Sequence, residues 1–257
     1  MNFIDTHAHI YDKKFAEDMP QILINMQKMQ VSQVVMPNID SETIENMLLL
    51  EEKYPNICIA TMGLHPCSVD ENFQKELYII ENWLSKRKFA AIGEMGTDLY
   101  WDKTFFDEQK EAFIIQANWA KKYKIPIIIH CRESFLSTIE MVENLQDTEK
   151  TLKGVFHCFT GTQETAERVI KAGFMLGIGG VLTYKNSNLG DALKNIDLKH
   201  IILETDSPYL PPVPHRGARN EPSFVPIIAQ KLAEIKNISL EEIAKITTEN
   251  AKRLFGI

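Results

Sequence analysis

Two histidines one residue apart, His7 and His9, are the first residues in the chain that point to chemistry. Side chains at positions i and i+2 of a strand project to the same side, so both imidazoles can reach one metal ion. In a chain of 257 residues with 7 histidines, chance supplies about 0.2 such pairs, so the motif draws its meaning from its company. That company is Glu94, His130, His157 and Asp206, each at or near the end of a separate apolar run. A lone strand histidine is more often satisfied by a backbone carbonyl, but the six residues together favour ligation. Four imidazoles and two carboxylates suit two divalent cations, with Mg, Mn or Zn all compatible with mixed nitrogen and oxygen donors. Such a pair activates water, polarises a phosphoryl oxygen and stabilises a leaving alkoxide without a protein nucleophile.

The elements that must position these groups follow from hydropathy. Runs rich in Ile and Val recur at residues 3–6, 31–37, 57–62, 89–94, 126–130, 154–158, 174–178 and 201–204, and read as buried strands. Helical patterns separate most of them, such as Phe15, Met19, Ile22, Leu23, Met26 and Met29, or Gln109, Ala112, Phe113, Gln116 and Ala120. Strand and helix alternate, which predicts a parallel sheet. The predicted fold is α/β, a single (β/α)8 TIM barrel over residues 1–257. Active sites in such barrels lie at the C-terminal strand ends, where His7, His9, His65, His130, His157 and His215 all fall. His65 and His215 suit substrate contact or loop capping, and His200, at the start of the last run, belongs to the opposite face. Ser41 is the expected cap of the second helix, Gly173 a helix stop, and Ser239 with Glu242 a capping box. The interval 184–199 has room only for a short helix at 189–195, and 211–214 reads as a rigid loop. Met26 and Met29 are expected in the core, and Cys58, Cys67, Cys131 and Cys158, which form no C-x-x-C pair, as small buried hydrophobes.

Composition narrows the function classes. A hydrophobic fraction of 44% and a charged fraction of 25% are those of an ordinary globular chain. No stretch approaches the ~18 to 20 apolar residues of a membrane span, and the N-terminus has no apolar signal core, so a cytoplasmic protein without a membrane partner is expected. No obligate protein partner is predicted. The net charge of -7 argues against a long basic track for nucleic acid. A small phosphate site remains compatible, because two dications would dominate the local field.

Several blocks match a known family. Asp5-Thr6-His7-Ala8-His9, Gly63-Leu64-His65-Pro66, Gly93-Glu94-Met95-Gly96, His157-Cys158-Phe159-Thr160-Gly161 and Glu204-Thr205-Asp206-Ser207-Pro208-Tyr209-Leu210 resemble, in order, the signatures of the TatD family of metal-dependent deoxyribonucleases. Arg216-Gly217-Ala218-Arg219-Asn220-Glu221-Pro222 adds a further family-like block. The resemblance implies an amidohydrolase-type barrel in which His7, His9 and Asp206 hold one metal, His130 and His157 a second, and Glu94 bridges both. It also implies a DNA substrate, single-stranded or frayed at its end and shortened from 3′ to 5′, and favours Mg or Mn. Two departures, Thr97-Asp98-Leu99-Tyr100 in place of Leu-Asp-Tyr and Arg132-Glu133 in place of Arg-Asp, spare the ligands and bear on the substrate pocket.

Within this reading Asp206 orients the attacking water and accepts its proton, while His65, Arg132 and Arg216 bind non-bridging phosphate oxygens. One rival is a hydrolase of a small amide, lactone or aminoacyl ester using the same metals, since one barrel supports many chemistries. The other is a non-catalytic metal-binding scaffold, which has no need of a full carboxylate set.

Overall fold

The computed structural model describes residues 1–257. Its strands are β1 (Phe3–Asp5), β2 (Val31–Met36), β3 (Cys58–Ala60), β4 (Ile92–Asp98), β5 (Ile127–Arg132), β6 (Gly154–Phe156), β7 (Phe174–Ile178) and β8 (Ile201–Leu203). The helices are α1 (Met19–Lys28), α2 (Ser41–Lys53), α3 (Phe73–Lys86), α4 (Phe106–Tyr123), α5 (Phe135–Leu145), α6 (Gln163–Lys171), α7 (Leu189–Leu193), α8 (Val225–Lys236) and α9 (Leu240–Phe255). No helix is long and apolar enough to cross a membrane.

All strand pairs are parallel, in two runs, β1-β2-β3 and β4 through β8. Parallel bridges just beyond the strands join the runs, Met62 to Ile92 on one side and Ala8 to Ser207 on the other. The Gly93 N–H donates to Met62 O (3.0 Å), that of Thr6 to Leu203 O (3.0 Å) and that of His9 to Ser207 O (2.7 Å), closing the ring. The sheet therefore has no free edge, as the expected barrel requires.

Each strand path contributes an apolar residue to the barrel interior: Ile4, Val35, Ile59, Ala91, Ile128, Val155, Met175 and Ile202 pack as one cluster with Ala251 and Phe255 of α9. Side chains alternate along a strand, so two residues beyond Ile128, Val155 and Ile202 come His130, His157 and Glu204. The apolar floor thus gives way to a polar mouth at the C-terminal ends. β4 and β5 approach so closely there that a Cβ on Gly96 would lie 1.9 Å from the His130 carbonyl oxygen. Only glycine fits between Glu94 and Asp98 without parting the two strands.

Outside the ring, α4 buries the expected stripe of Gln109, Ala112, Phe113, Gln116 and Ala120. Gly173, with φ 91°, follows the end of α6, and Ser239 accepts from the Glu242 N–H at the start of α9. Four expectations need correction. The cap of α2 is Asp40, because the Ser41 hydroxyl is committed to Glu76 on α3 (2.8 Å). Met29 is exposed just past the end of α1, where the apolar stripe has already turned to solvent. Among the cysteines only Cys58 is buried: Cys67 is exposed and Cys131 and Cys158 are half-buried near the strand ends. β4 begins three residues later than predicted and runs on to Asp98, because its hydrogen-bonding with β5 continues as far as Arg132.

Candidate active site

Glu94 is the centre of the site. It is buried on β4, and its two carboxylate oxygens face different groups of histidines. Oε2 lies 3.1 Å from His7 Nε2 and 3.6 Å from His9 Nε2. Oε1 lies 2.9 Å from His130 Nδ1 and 2.8 Å from His157 Nε2. Asp206, after β8, completes the Oε2 side, with Oδ1 3.7 Å from both His7 Nε2 and His9 Nε2. The six residues expected from the sequence therefore converge on one point at the barrel mouth.

Hydrogen bonds fix which ring nitrogen is free in His9, His130 and His65. The Tyr11 hydroxyl donates to the Pro37 carbonyl, so it accepts from His9 Nδ1 (2.9 Å), and the His9 Nε2 lone pair faces Glu94 and Asp206. Asp98 Oδ2 lies 2.8 Å from His130 Nε2, which places a proton on that nitrogen and turns Nδ1 toward Glu94. Glu204 lies near His157 as well, but its Oε1 is 3.6 Å from Nδ1, beyond hydrogen-bond reach, and accepts the Cys158 N–H instead. The hydroxyl behind His9 and the carboxylate behind His130 raise the basicity of those imidazoles and hold their orientation. His65 differs. Its Nδ1 accepts the Cys67 N–H (3.0 Å), so its Nε2, 3.4 Å from Glu94 Oε1, carries the proton and points a donor into the site.

Electrostatics show what the cluster needs. Burial opposes the charge on Glu94, but His157, His65 and His7 outweigh it and hold the carboxyl well below its usual range. Burial pushes Asp206 up to about 7 and His9 down to about 4. Burial also disfavours charge on His157 and His130; the carboxylates facing them prevail and raise both. Both ring nitrogens of buried His7 lack a hydrogen-bond partner, as does His157 Nδ1. Unpaired imidazole nitrogens packed around a dehydrated carboxylate are costly as they stand and fit divalent cations well. Three overlapping sets, His7-His157-Asp206, His7-His9-Glu94 and His65-Glu94-His130, bring their donor atoms close enough to share an ion. The proton on His65 Nε2 favours hydrogen bonding over ligation for that residue.

The model of the TatD-related DNase family matches residues 4–256. The chain belongs to the TatD family of metal-dependent hydrolases. It is 38% identical over 254 residues to the uncharacterized metal-dependent hydrolase YabD of Bacillus subtilis, covering 98% of each chain. It is 34% identical over 200 residues to the uncharacterized metal-dependent hydrolase YcfH of Escherichia coli, covering 77% of this chain and 74% of that one. The crystal structure of the TatD homologue YjjV from Escherichia coli superposes with a TM-score of 0.92 at 29% identity, over 99% of this chain and 98% of that one.

The TatD site opens into a cavity of about 580 Å³ lined by His65, Glu94, His130, Arg132, His157 and Asp206, among others. Arg132 thus reaches the cavity, with its guanidinium lying 3.6 Å over the Tyr100 ring. Arg216 does not line it; it lies 3.9 Å over Tyr184 farther out. His215 stacks on Phe224 at 4.2 Å, also outside the cavity. His200 is half-buried just before β8, away from the mouth.

Sequence reasoning missed the residues that hold this constellation. Asp98 lies four positions after Glu94 on the same strand, an even spacing that could have flagged it. Gln109 and Gln116 interrupt the apolar stripe of α4, and each clamps a backbone amide. Gln109 accepts from Asp98 N–H (2.9 Å) and donates to Asp98 O (3.3 Å); Gln116 accepts from Leu64 N–H (2.8 Å) and donates to Leu64 O (3.2 Å). One helix face thereby sets the positions of Asp98 and of His65. Asp98→Asn should weaken metal binding roughly 10- to 100-fold by loosening His130, with the fold retained. Titration against a chelating dye would measure this, and unchanged affinity would show that His130 does not depend on Asp98.

Proposed function

We propose that this chain is a two-metal phosphodiesterase that shortens single-stranded or end-frayed DNA from a free end, from 3′ to 5′, with residues 1–257 as one catalytic unit. The observation that carries the reading is the division of Glu94 between two groups of imidazoles, His7 and His9 on Oε2, His130 and His157 on Oε1. His7, His9 and Asp206 would hold one ion, His130 and His157 the other, with Glu94 shared; Mg, Mn and Zn all suit these donors. Such ions supply Lewis acidity to a phosphoryl oxygen and lower the pKa of water.

The chain's own groups do the remaining work. Asp206, half-buried and accepting no hydrogen from its neighbours' side chains, orients the attacking water and takes its proton. The His65 Nε2–H and the Arg132 guanidinium donate to non-bridging phosphate oxygens. Arg216, on the rim, meets a second phosphate farther along the strand.

An elongated substrate is favoured over a small lactone or amide by the shape of the mouth. The catalytic cavity shares Thr160 and Val181 with a second hollow of about 680 Å³, lined by hydroxyl and amide side chains such as Thr162, Gln163 and Asn186. The four free cysteines suit a reducing, cytoplasmic setting. A compact pocket in a chain of net charge -7 grips few phosphates, so free ends are needed and salt dependence is shallow. Linear single strands should be shortened stepwise, while covalently closed circles of the same sequence resist. Rapid cutting of circles, lost in Asp206→Asn, would exclude the end-dependent mode.

A further inference from the structure

We infer that Trp101 is the seat for the unpaired base of the terminal nucleotide, with Arg132 beside it to meet the attached phosphate. The inference rests on the phosphodiesterase reading above and names the part of the substrate that this lip of the cavity recognises. Trp101 is 70% exposed, yet it lines the same cavity as Glu94, His130 and Arg132. A large indole held in water at the edge of a polar cleft offers a flat apolar face with nothing of the protein covering most of it.

Its position is tied to the catalytic centre. Asp98 Oδ1 accepts the backbone N–H groups of Tyr100 (2.8 Å) and Trp101 (3.1 Å), while Oδ2 of the same carboxylate holds His130 (2.8 Å). One buried side chain therefore sets the distance between the indole and the ligand cluster. Tyr100 meets Trp101 edge to face at 4.9 Å and 88°, which fixes the indole's tilt. Arg132 lies 3.6 Å over Tyr100 and 5.5 Å from the centre of the Trp101 ring, so an aromatic face and a cation stand side by side at the cavity mouth.

A nucleotide matches that pair, because it carries an aromatic face and an anionic phosphate on one short covalent frame. A lactone or alkyl ester offers neither. The base must also be unpaired, since a base inside a duplex is already stacked on both faces and presents only its edges. Trp101 thus accounts for selection of a frayed or single-stranded end without any long basic track.

The test compares wild type, Trp101→Ala and Trp101→Phe on a linear oligothymidylate and on the same strand with abasic residues at both ends. On the thymidine-ended strand, Trp101→Ala should raise KM roughly 10-fold or more with kcat little changed, and Trp101→Phe should recover most of the loss. The ratio of variant to wild-type KM should fall toward one when the terminal bases are absent. Equal KM for wild type and Trp101→Ala on the thymidine-ended strand, or an equal penalty on both strands, would overturn the inference and leave the nuclease reading intact. A binding arm separates the two claims: oligothymidylate should quench tryptophan fluorescence in Asp206→Asn, and adding Trp101→Phe should remove that quench. Quenching that depends on Trp101, with wild-type protein that cleaves no DNA, would support the base seat and overturn the nuclease reading. Absence of both quenching and cleavage would overturn both.

Discussion

Glu94→Ala should cost the protein both metal ions and reduce hydrolysis by about 1000-fold or more, the largest effect expected from any single substitution. The reason is geometric. Glu94 is the one residue within 3.6 Å of His7, His9, His65, His130 and His157 at once, so its loss removes the negative charge around which every donor is arranged. Five imidazoles would then face one another without it, and a second cation would meet no shared oxygen to offset its repulsion from the first. The measurement is elemental analysis after dialysis against a chelator and reloading, alongside turnover. Full occupancy in the variant would remove Glu94 from the centre of the site.

Asp206→Asn should leave the fold and most of the metal content in place while turnover falls by a factor of roughly 100 or more. Asparagine keeps the shape of the side chain but cannot accept a proton. Burial drives the wild-type carboxyl up to about 7; a bound cation would oppose that shift. His200→Ala is the control, because His200 sits at the foot of β8, at the opposite end of the strand from Asp206. Its turnover and melting temperature should match wild type. If the two variants behaved alike in both measurements, the active face would be misplaced.

The residues of the imidazole and carboxylate cluster were legible in the sequence because strand periodicity does most of the positioning. Once Ile128 and Val155 face the barrel interior, His130 and His157 must face its mouth, and the same logic raises both members of the His7 and His9 pair. The parallel ring was legible from the alternation of apolar runs with helical stripes. What escaped depends on three-dimensional register. The pairing of β4 with β5 shifts between Ile92 and Met95, so counting apolar residues ended β4 at Glu94 and left Asp98 without a role. The two α4 glutamines read as ordinary members of a helix face; their work is visible only when Asp98 and Leu64 are seen against them. Loop residues are placed by packing rather than by periodicity. His215 and Arg216 follow a strand end, as active-site residues do, but stack on Phe224 and Tyr184 rather than lining the cavity, and no periodicity encodes that choice.

The most direct measurement on the central claim is anomalous diffraction from crystals of the wild-type protein loaded with Mn. Two peaks are expected, both at the barrel mouth, one between Glu94 and the His7, His9 and Asp206 side chains, the other between Glu94 and those of His130 and His157. A single peak, or peaks away from Glu94, would contradict a two-metal hydrolase built on these six residues.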